Sequence, residues 1–121
     1  MLKKLNKIAA AVAGAEKAKG SIEIDFVNDA RIRGLNKKFR KIDRATDVLS
    51  FDMREDGLLG QIVISKETAK RNAKRYGVSF NDEVARLVIH GALHLAGYDH
   101  IRKSDRMKMR EKEDHYAKKI R

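Results

Sequence analysis

The sequence predicts an α+β fold, in which a small mixed sheet of three or four strands packs with about five helices. Apolar residues recur at helical spacing in several segments, and in three short segments they alternate with polar residues or run continuously. One segment, from about Asp82 to Ala96, is apolar on nearly every side, which is typical of a helix buried in the middle of a fold. We therefore expect this helix at the centre of the domain.

Five helices are predicted from apolar spacing, from capping residues and from glycines that follow helix ends. In chain order they span residues 2–18, Asn28 or Asp29 to about Phe39, Ser65 to Tyr76, Asp82 to Ala96, and Lys103 to Ile120. The last segment is only weakly amphipathic, so its prediction rests on helix propensity.

Three strands are predicted, at Ser21 to Val27, Asp47 to Phe51 and Leu58 to Ile64. The first alternates apolar and acidic residues, which indicates a strand buried on one face. The third ends in a continuous β-branched run, which indicates cover on both faces. The polar stretch Asp52 to Gly57 predicts a hairpin between the second and third strands.

The composition limits the possible partners. The chain has 121 residues, the size of one domain spanning residues 1–121, and 28 Lys and Arg against 17 acidic residues give a net charge of +11. This charge favours a polyanionic partner, nucleic acid or anionic lipid, over a merely solvated surface. No stretch approaches the length of a transmembrane helix, so we expect no membrane partner. The oligomeric state is not predicted.

The absence of cysteine excludes disulfides and thiolate metal ligands, so any metal must use histidine and carboxylate. It is compatible with a cytoplasmic location. Lysines precede an apolar run, Ile8 to Ala13, as they do in export signals, but the run is short and mostly alanine. We interpret it as part of an amphipathic helix.

Three of the four histidines fall within eleven residues. His90 and His94 are four apart, so on a helix they project from one side about 6 Å apart and can meet one metal ion. Gly97 permits a left-handed turn, after which the chain can return His100 to the same ion. Three ligands leave a fourth position open for water, which is typical of a catalytic zinc site. His115 is expected on the surface.

This spacing matches the metzincin pattern H-E-x-x-H-x-x-G-x-x-H, except that Gly91 replaces the glutamate. In zinc peptidases that glutamate is the general base. We therefore expect a zincin-like scaffold that performs a different reaction.

The segment from His90 to His100 also resembles the H-G-x-L-H-L-x-G-Y-D-H signature of the YbeY family of bacterial endoribonucleases. Thr46 to Phe51 resembles the T-D-V-L-S-F block of that family, and Leu59 to Ile64 resembles its L-G-D-I-V-I strand. Leu35, Asn36 and Arg40 match the L-N-x-x-[YF]-R stretch of the same family. The resemblance runs in order over about residues 21–101.

The resemblance implies a zincin-like fold, one Zn²⁺ ion held by His90, His94 and His100, and a functional role for Arg40. It implies a single-strand-specific endoribonuclease that matures the 3′ end of 16S rRNA and serves ribosome quality control, with RNA of the small ribosomal subunit as partner. The chain departs from the family pattern at Gln61, where Asp is usual, and in lacking the usual N-terminal strand. Ala45 and Asp52 also replace two usual prolines, and the tail after Ile101 is basic. These features predict a shortened or divergent member.

A metal held by three histidines lowers the pKa of its bound water toward about 7 and polarises a phosphoryl oxygen. We expect His94 and Arg40 to be needed for catalysis, with Arg40 clamping the phosphodiester, although from spacing alone Arg40 is a surface cation. Asp99 and Tyr98 are candidates to orient a histidine. The general base stays open, and the nucleophile is either metal hydroxide or the RNA 2′-hydroxyl.

Lys66, Lys70 and Lys74 repeat every four residues as a basic stripe, and Arg102 begins a second basic cluster after the histidines. Both surfaces either bind RNA or are simply solvated, and base stacking is not expected to dominate because aromatic residues are only 6%. Three hypotheses follow: a zinc-dependent endoribonuclease, a ribosome-associated RNA-binding protein with a structural zinc, and, less favoured, a zincin-type peptidase.

Overall fold

The computed structural model of the chain describes residues 1–98 and 103–120. Over these residues the helices are α1 (Leu2–Ala15), α2 (Asp29–Arg40), α3 (Lys66–Tyr76), α4 (Phe80–Leu95) and α5 (Lys103–Ile120). The strands are β1 (Ser21–Val27), β2 (Val48–Glu55) and β3 (Leu58–Ser65). The predicted α+β fold is confirmed.

The three strands form one mixed sheet in the order β1-β3-β2. The central strand β3 is parallel to β1 and antiparallel to β2, and Ile62 lies opposite both Ile24 and Ser50. Ile62 and Ile64 face the main core, whereas Val63 packs on the other face with Ile32 of α2. This confirms the prediction that β3 is covered on both faces.

The helix α4 packs against α1, α3, α5 and the sheet. The side chain of Ser79 caps it, accepting a hydrogen bond of 3.0 Å from the amide of Asp82. Apolar side chains on opposite faces of the helix are equally buried, with Leu87 1% and Leu93 0% exposed. Burial of each such side chain stabilises the fold by about 2 kcal/mol. The predicted central helix is confirmed.

The main differences from the sequence prediction lie at element ends. The first helix ends at Ala15 instead of residue 18, because Lys17 adopts a positive φ of 61°. The strand β2 continues through the polar residues to Glu55, so the hairpin turn shortens to Asp56 and Gly57. An edge strand pairs with a neighbour on one side only, so it can be polar and still belong to the sheet. The polar residues at the end of β2 were therefore predicted as a loop.

Two further helices cover α4. Leu5, Ile8 and Val12 of α1 are 5% exposed or less, and α5 contributes the buried Met109 and Tyr116. In the part of the chain that is described, no helix is both long and apolar enough to cross a membrane.

Candidate functional site

A cavity of about 530 Å³ opens beside the edge strand β2. Its lining combines Arg40 at the end of α2, the chain from residue 44 to 50, and His90 and His94 of α4. Two regions that are distant in sequence, residues 36–50 and α4, therefore meet at one opening, and each contributes groups that can bind a ligand.

The two histidines lie side by side in this cavity. Their ring centroids are 5.6 Å apart and their planes are inclined at 67°. Both side chains are half-buried, because they lie on the border between the buried faces of α4 and the opening. The structure thus gathers the pair that the i, i+4 spacing predicted, on one side of the helix.

His90 has a carboxylate neighbour that the sequence reasoning missed. Its Nδ1 lies 2.5 Å from Oε1 of Glu113, on α5. An ionised carboxylate only accepts hydrogen bonds, so Nδ1 donates and the lone pair of the neutral ring is on Nε2. The two residues are 23 positions apart and belong to different helices, and no local pattern links them.

Gly91 is packed directly beneath the sheet. A Cβ atom there would lie 2.9 Å from Cδ1 of Ile62 and 3.0 Å from Oγ of Ser50. The Ser50 hydroxyl also donates to the carbonyl of Gly91, at 3.4 Å. The position that carries the general base in the metzincin pattern therefore has no room for a glutamate side chain unless the side chains of Ile62 and Ser50 move.

The end of α4 is a Schellman motif. The amide of Gly97 donates to the carbonyl of His94 and the amide of Tyr98 to that of Leu93, both at 3.0 Å. Gly97 has a φ of +109°, so the predicted positive-φ turn is confirmed. The expected third ligand His100, together with Asp99 and Arg102, lies outside the described residues.

Arg40 is exposed at the end of α2 and reaches across to the edge strand. Its Nη2 donates to the backbone carbonyl of Ser50, at 2.8 Å. The next residue, Lys41, ends the helix in the left-handed conformation with a φ of 63°. The guanidinium is therefore held on the cavity wall that faces the histidines.

A network of charged side chains around the buried Glu83 was also missed. Glu83, which is 1% exposed, accepts two hydrogen bonds from Arg86, and these raise the pKa of the guanidinium. Asp47 lines the cavity, lies 3.8 Å from Arg86 and accepts a hydrogen bond from Asn72. The i, i+3 spacing of Glu83 and Arg86 was the one available sequence signal.

Tyr98, a candidate to orient a histidine, donates its hydroxyl to Oε1 of Glu16 in a bond of 2.7 Å, which raises the pKa of the phenol. Gln61, which stands where the family pattern has Asp, lies on the face of the sheet opposite α4 and donates to Asp25 at 2.6 Å. Position 61 is therefore separated from the histidines by the thickness of the sheet.

The basic stripe of α3 is exposed, as expected for Lys66, Lys70 and Lys74. However, Lys66 and Lys70 line a separate surface depression and not the cavity of the histidines. The second cation of that cavity is Arg44, which the sequence reasoning did not single out. His115 is exposed on α5, as predicted.

The donor set fits zinc as far as the structure describes it. Residues 1–98 and 103–120 contain no group of three histidine, cysteine or acidic side chains that could hold a metal ion. They do supply two imidazoles on one cavity wall, and nitrogen ligands of this kind suit zinc. A third donor would come from the segment outside the described residues, where His100 lies in the sequence.

A mixed sheet over a central helix that presents two histidines, four residues apart, to a cavity at the sheet edge defines a zincin-like α+β protein. The sequence model of the family described as Endoribonuclease YbeY matches residues 1–121. The chain belongs to the YbeY family.

Individual relatives agree with this assignment. A YbeY endoribonuclease of Desulforamulus reducens is 54% identical over 99 residues, which are 74% of this chain and 65% of the relative. One of Carboxydothermus hydrogenoformans is 45% identical and matches 91% of this chain and 81% of its own length. The solution structure of a Thermotoga maritima protein superposes with a TM-score of 0.71 at 32% identity, over 98% of this chain and 80% of that one. The chain thus spans about two-thirds to four-fifths of the length of these relatives.

Proposed function

We propose that the chain is a zinc-dependent endoribonuclease that cleaves single-stranded RNA, with the 3′ end of 16S rRNA as substrate and ribosome quality control as its setting. One observation carries the proposal: His90, His94 and Arg40 face a single open cavity, although they come from elements far apart in sequence. Endoribonuclease is also the activity named for relatives up to 54% identical. rRNA as substrate entails a cytoplasmic location.

Arg40 is the phosphate-binding group in this proposal. A guanidinium carries five N–H donors, so its hydrogen bond to Ser50 leaves capacity for a bidentate contact with phosphodiester oxygens. The hydrogen bond also fixes the side chain before substrate binds, which lowers the entropy lost on binding. Negative charge that grows on the phosphate in the transition state then meets a prepositioned cation.

His90 and His94 would hold the zinc ion, with His100 as the third ligand. When bound, the ion supplies a Lewis acid and a water of lowered pKa. The rest of the work belongs to the protein: the packed core fixes the two rings on α4, and Arg40 orients the RNA backbone opposite them.

The geometry disfavours the peptidase alternative. The position of the peptidase glutamate is occupied by Gly91, against which Ile62 and Ser50 are packed. A peptide substrate in an extended conformation would also pair with the free edge of β2 through backbone hydrogen bonds. At that edge the carbonyl of Ser50 already accepts a hydrogen bond from Arg40. The chain therefore lacks the glutamate base of a zincin peptidase, and its edge strand is partly blocked for peptide binding.

The second alternative is an RNA-binding protein with a structural zinc. Structural zinc sites are closed, with four protein ligands. The cavity of about 530 Å³ beside the two histidines instead leaves room for a substrate group next to the ion. The exposed stripe of Lys66, Lys70 and Lys74 would extend RNA contacts beyond that cavity through phosphate neutralisation, which weakens as salt is raised.

The decisive experiment measures zinc content and cleavage of single-stranded RNA in parallel. His94→Ala should lose the ion and reduce cleavage by at least about a hundredfold, and Arg40→Ala should keep the ion and lose cleavage, by about a hundredfold. His115→Ala, an exposed histidine on α5, is the matched control and should retain both properties. Undiminished cleavage by metal-free protein or by His94→Ala would overturn the proposal.

A further inference from the structure

The contact between His90 and Glu113 has a specific geometry. The Oε1–Nδ1 distance is 2.5 Å, and the two side chains are 28% and 23% exposed, so the hydrogen bond is partly shielded from water. It joins α4, which carries the candidate zinc ligands, to α5. Shielding strengthens a hydrogen bond between an imidazole and a carboxylate relative to the same contact in water.

The consequence concerns which ring nitrogen can bind a metal. With its proton held on Nδ1 by the carboxylate, the neutral ring has its lone pair on Nε2. The same hydrogen bond restrains rotation of the ring, which is how carboxylates orient zinc-bound histidines.

Glu113 is itself held in place by its surroundings. Arg86 lies near enough for the charge of Glu113 to help raise the pKa of its guanidinium, and Arg86 is anchored by two hydrogen bonds to the buried Glu83. On α5, the neighbouring Tyr116 is buried and donates to Glu16 of the α1 end. The carboxylate therefore projects from a docked helix toward a fixed cation and a fixed imidazole.

We propose that Glu113 is a positioning residue for the metal centre: through its hydrogen bond to Nδ1 it sets the orientation and tautomer of His90, and so raises the zinc affinity of the site. The inference rests on the proposed function, because it requires His90 to be a zinc ligand. On this proposal α5, whose sequence is the least amphipathic of the five helices, contributes a residue to the metal centre in addition to covering α4.

The experiment compares four full-length proteins: wild type, Glu113→Gln, Glu113→Ala and Glu111→Gln. Glu111 is exposed on the same helix, so its substitution matches the charge change without touching His90. Competition with a chromophoric chelator should show zinc affinity falling about tenfold in Glu113→Gln, which keeps an acceptor oxygen, and toward about a hundredfold in Glu113→Ala. Glu111→Gln should bind zinc like the wild type.

A second readout separates positioning from general damage to the helix. Long-range ¹H–¹⁵N correlations of the imidazoles should show His90 protonated on Nδ1 in zinc-loaded wild type, and should show that signal altered in Glu113→Ala while His94 is unchanged. Circular dichroism of all four proteins checks that α5 remains helical.

Two results would overturn the inference: zinc affinity in both Glu113 variants equal to that of Glu111→Gln, or a His90 proton on Nε2 in the wild type. Neither result contradicts the proposed function. That function is contradicted if the wild-type chain binds no zinc, or if it cleaves RNA in the absence of zinc.

Discussion

The helices α1 and α5 both pack against α4, but they are attached by different kinds of contact. Buried apolar side chains attach α1, whereas α5 combines the buried Met109 and Tyr116 with polar contacts to α4 and to Glu16, the residue after α1. Those polar contacts join Glu113 to His90, and Lys112 and Tyr116 to Glu16. Apolar burial does not depend on protonation or metal, whereas hydrogen bonds between ionisable groups do. The difference indicates that α1 is scaffold, whereas α5 also contacts a candidate metal ligand, His90.

The largest expected effect tests the scaffold half of this comparison. Leu5→Ala in α1 should lower the free energy of unfolding by about 3 kcal/mol, because it removes a buried side chain and leaves a cavity. Leu2→Ala, in the same helix but at a residue 47% exposed, is the control and should cost less than about 0.5 kcal/mol. Urea denaturation measures both, and equal losses would contradict the assignment of α1 as apolar scaffold.

A smaller effect is expected at the polar attachment of α5. Burial and the hydrogen bond to Glu16 raise the pKa of Tyr116 to about 12, from an ordinary value near 10. A phenol with a raised folded-state pKa contributes stability that is full below pH 10 and is lost as pH rises toward 12. Tyr116→Phe should therefore cost about 1.5 kcal/mol at pH 7. It should also remove part of the loss of stability between pH 10 and 12.

Tyr76→Phe is the matched control for that variant, because Tyr76 is 57% exposed. Its stability should follow the wild type from pH 7 to pH 12 when unfolding is followed at each pH. If Tyr116→Phe also followed the wild type over this range, the polar contact to Glu16 would not hold α5 in place.

The elements could be predicted wherever the signal is local. The alternation in β1 gave Ser21–Val27 without error, and the spacing of His90 and His94 predicted two rings on one side of a helix. The end of β2 could not be predicted, because its polar residues are strand only by virtue of pairing with β3. Local patterns carry no information about a partner strand.

The missed parts of the site share one physical cause. Glu113 reaches His90 over 23 positions, and Asp47 reaches Asn72 over 25, through the packing of whole helices. Such contacts depend on where helices dock, and a weakly amphipathic helix such as α5 does not specify its docking face in its own sequence. The positioning of the candidate ligands is therefore visible only in three dimensions.

The smallest expected effect extends the comparison to a polar junction that attaches α2 to α3. Asp29 accepts hydrogen bonds from Ser65, Thr68 and Arg71, and these lower its pKa to about 2. A carboxyl with a lowered folded-state pKa contributes stability that is present above about pH 4 and is lost as pH falls toward 2. Protonation of Asp29 should therefore weaken this junction in acid.

Asp29→Asn should cost about 1 kcal/mol at pH 7, a value reduced for partial solvent screening, and should flatten the decline in stability from pH 4 to pH 2. Asp114→Asn, at an exposed position of α5, is the control and should leave that decline unchanged. Thermal unfolding at several acidic pH values distinguishes the two variants. An acid profile of Asp29→Asn identical to that of the wild type would mean that the charge of Asp29 does not stabilise this junction.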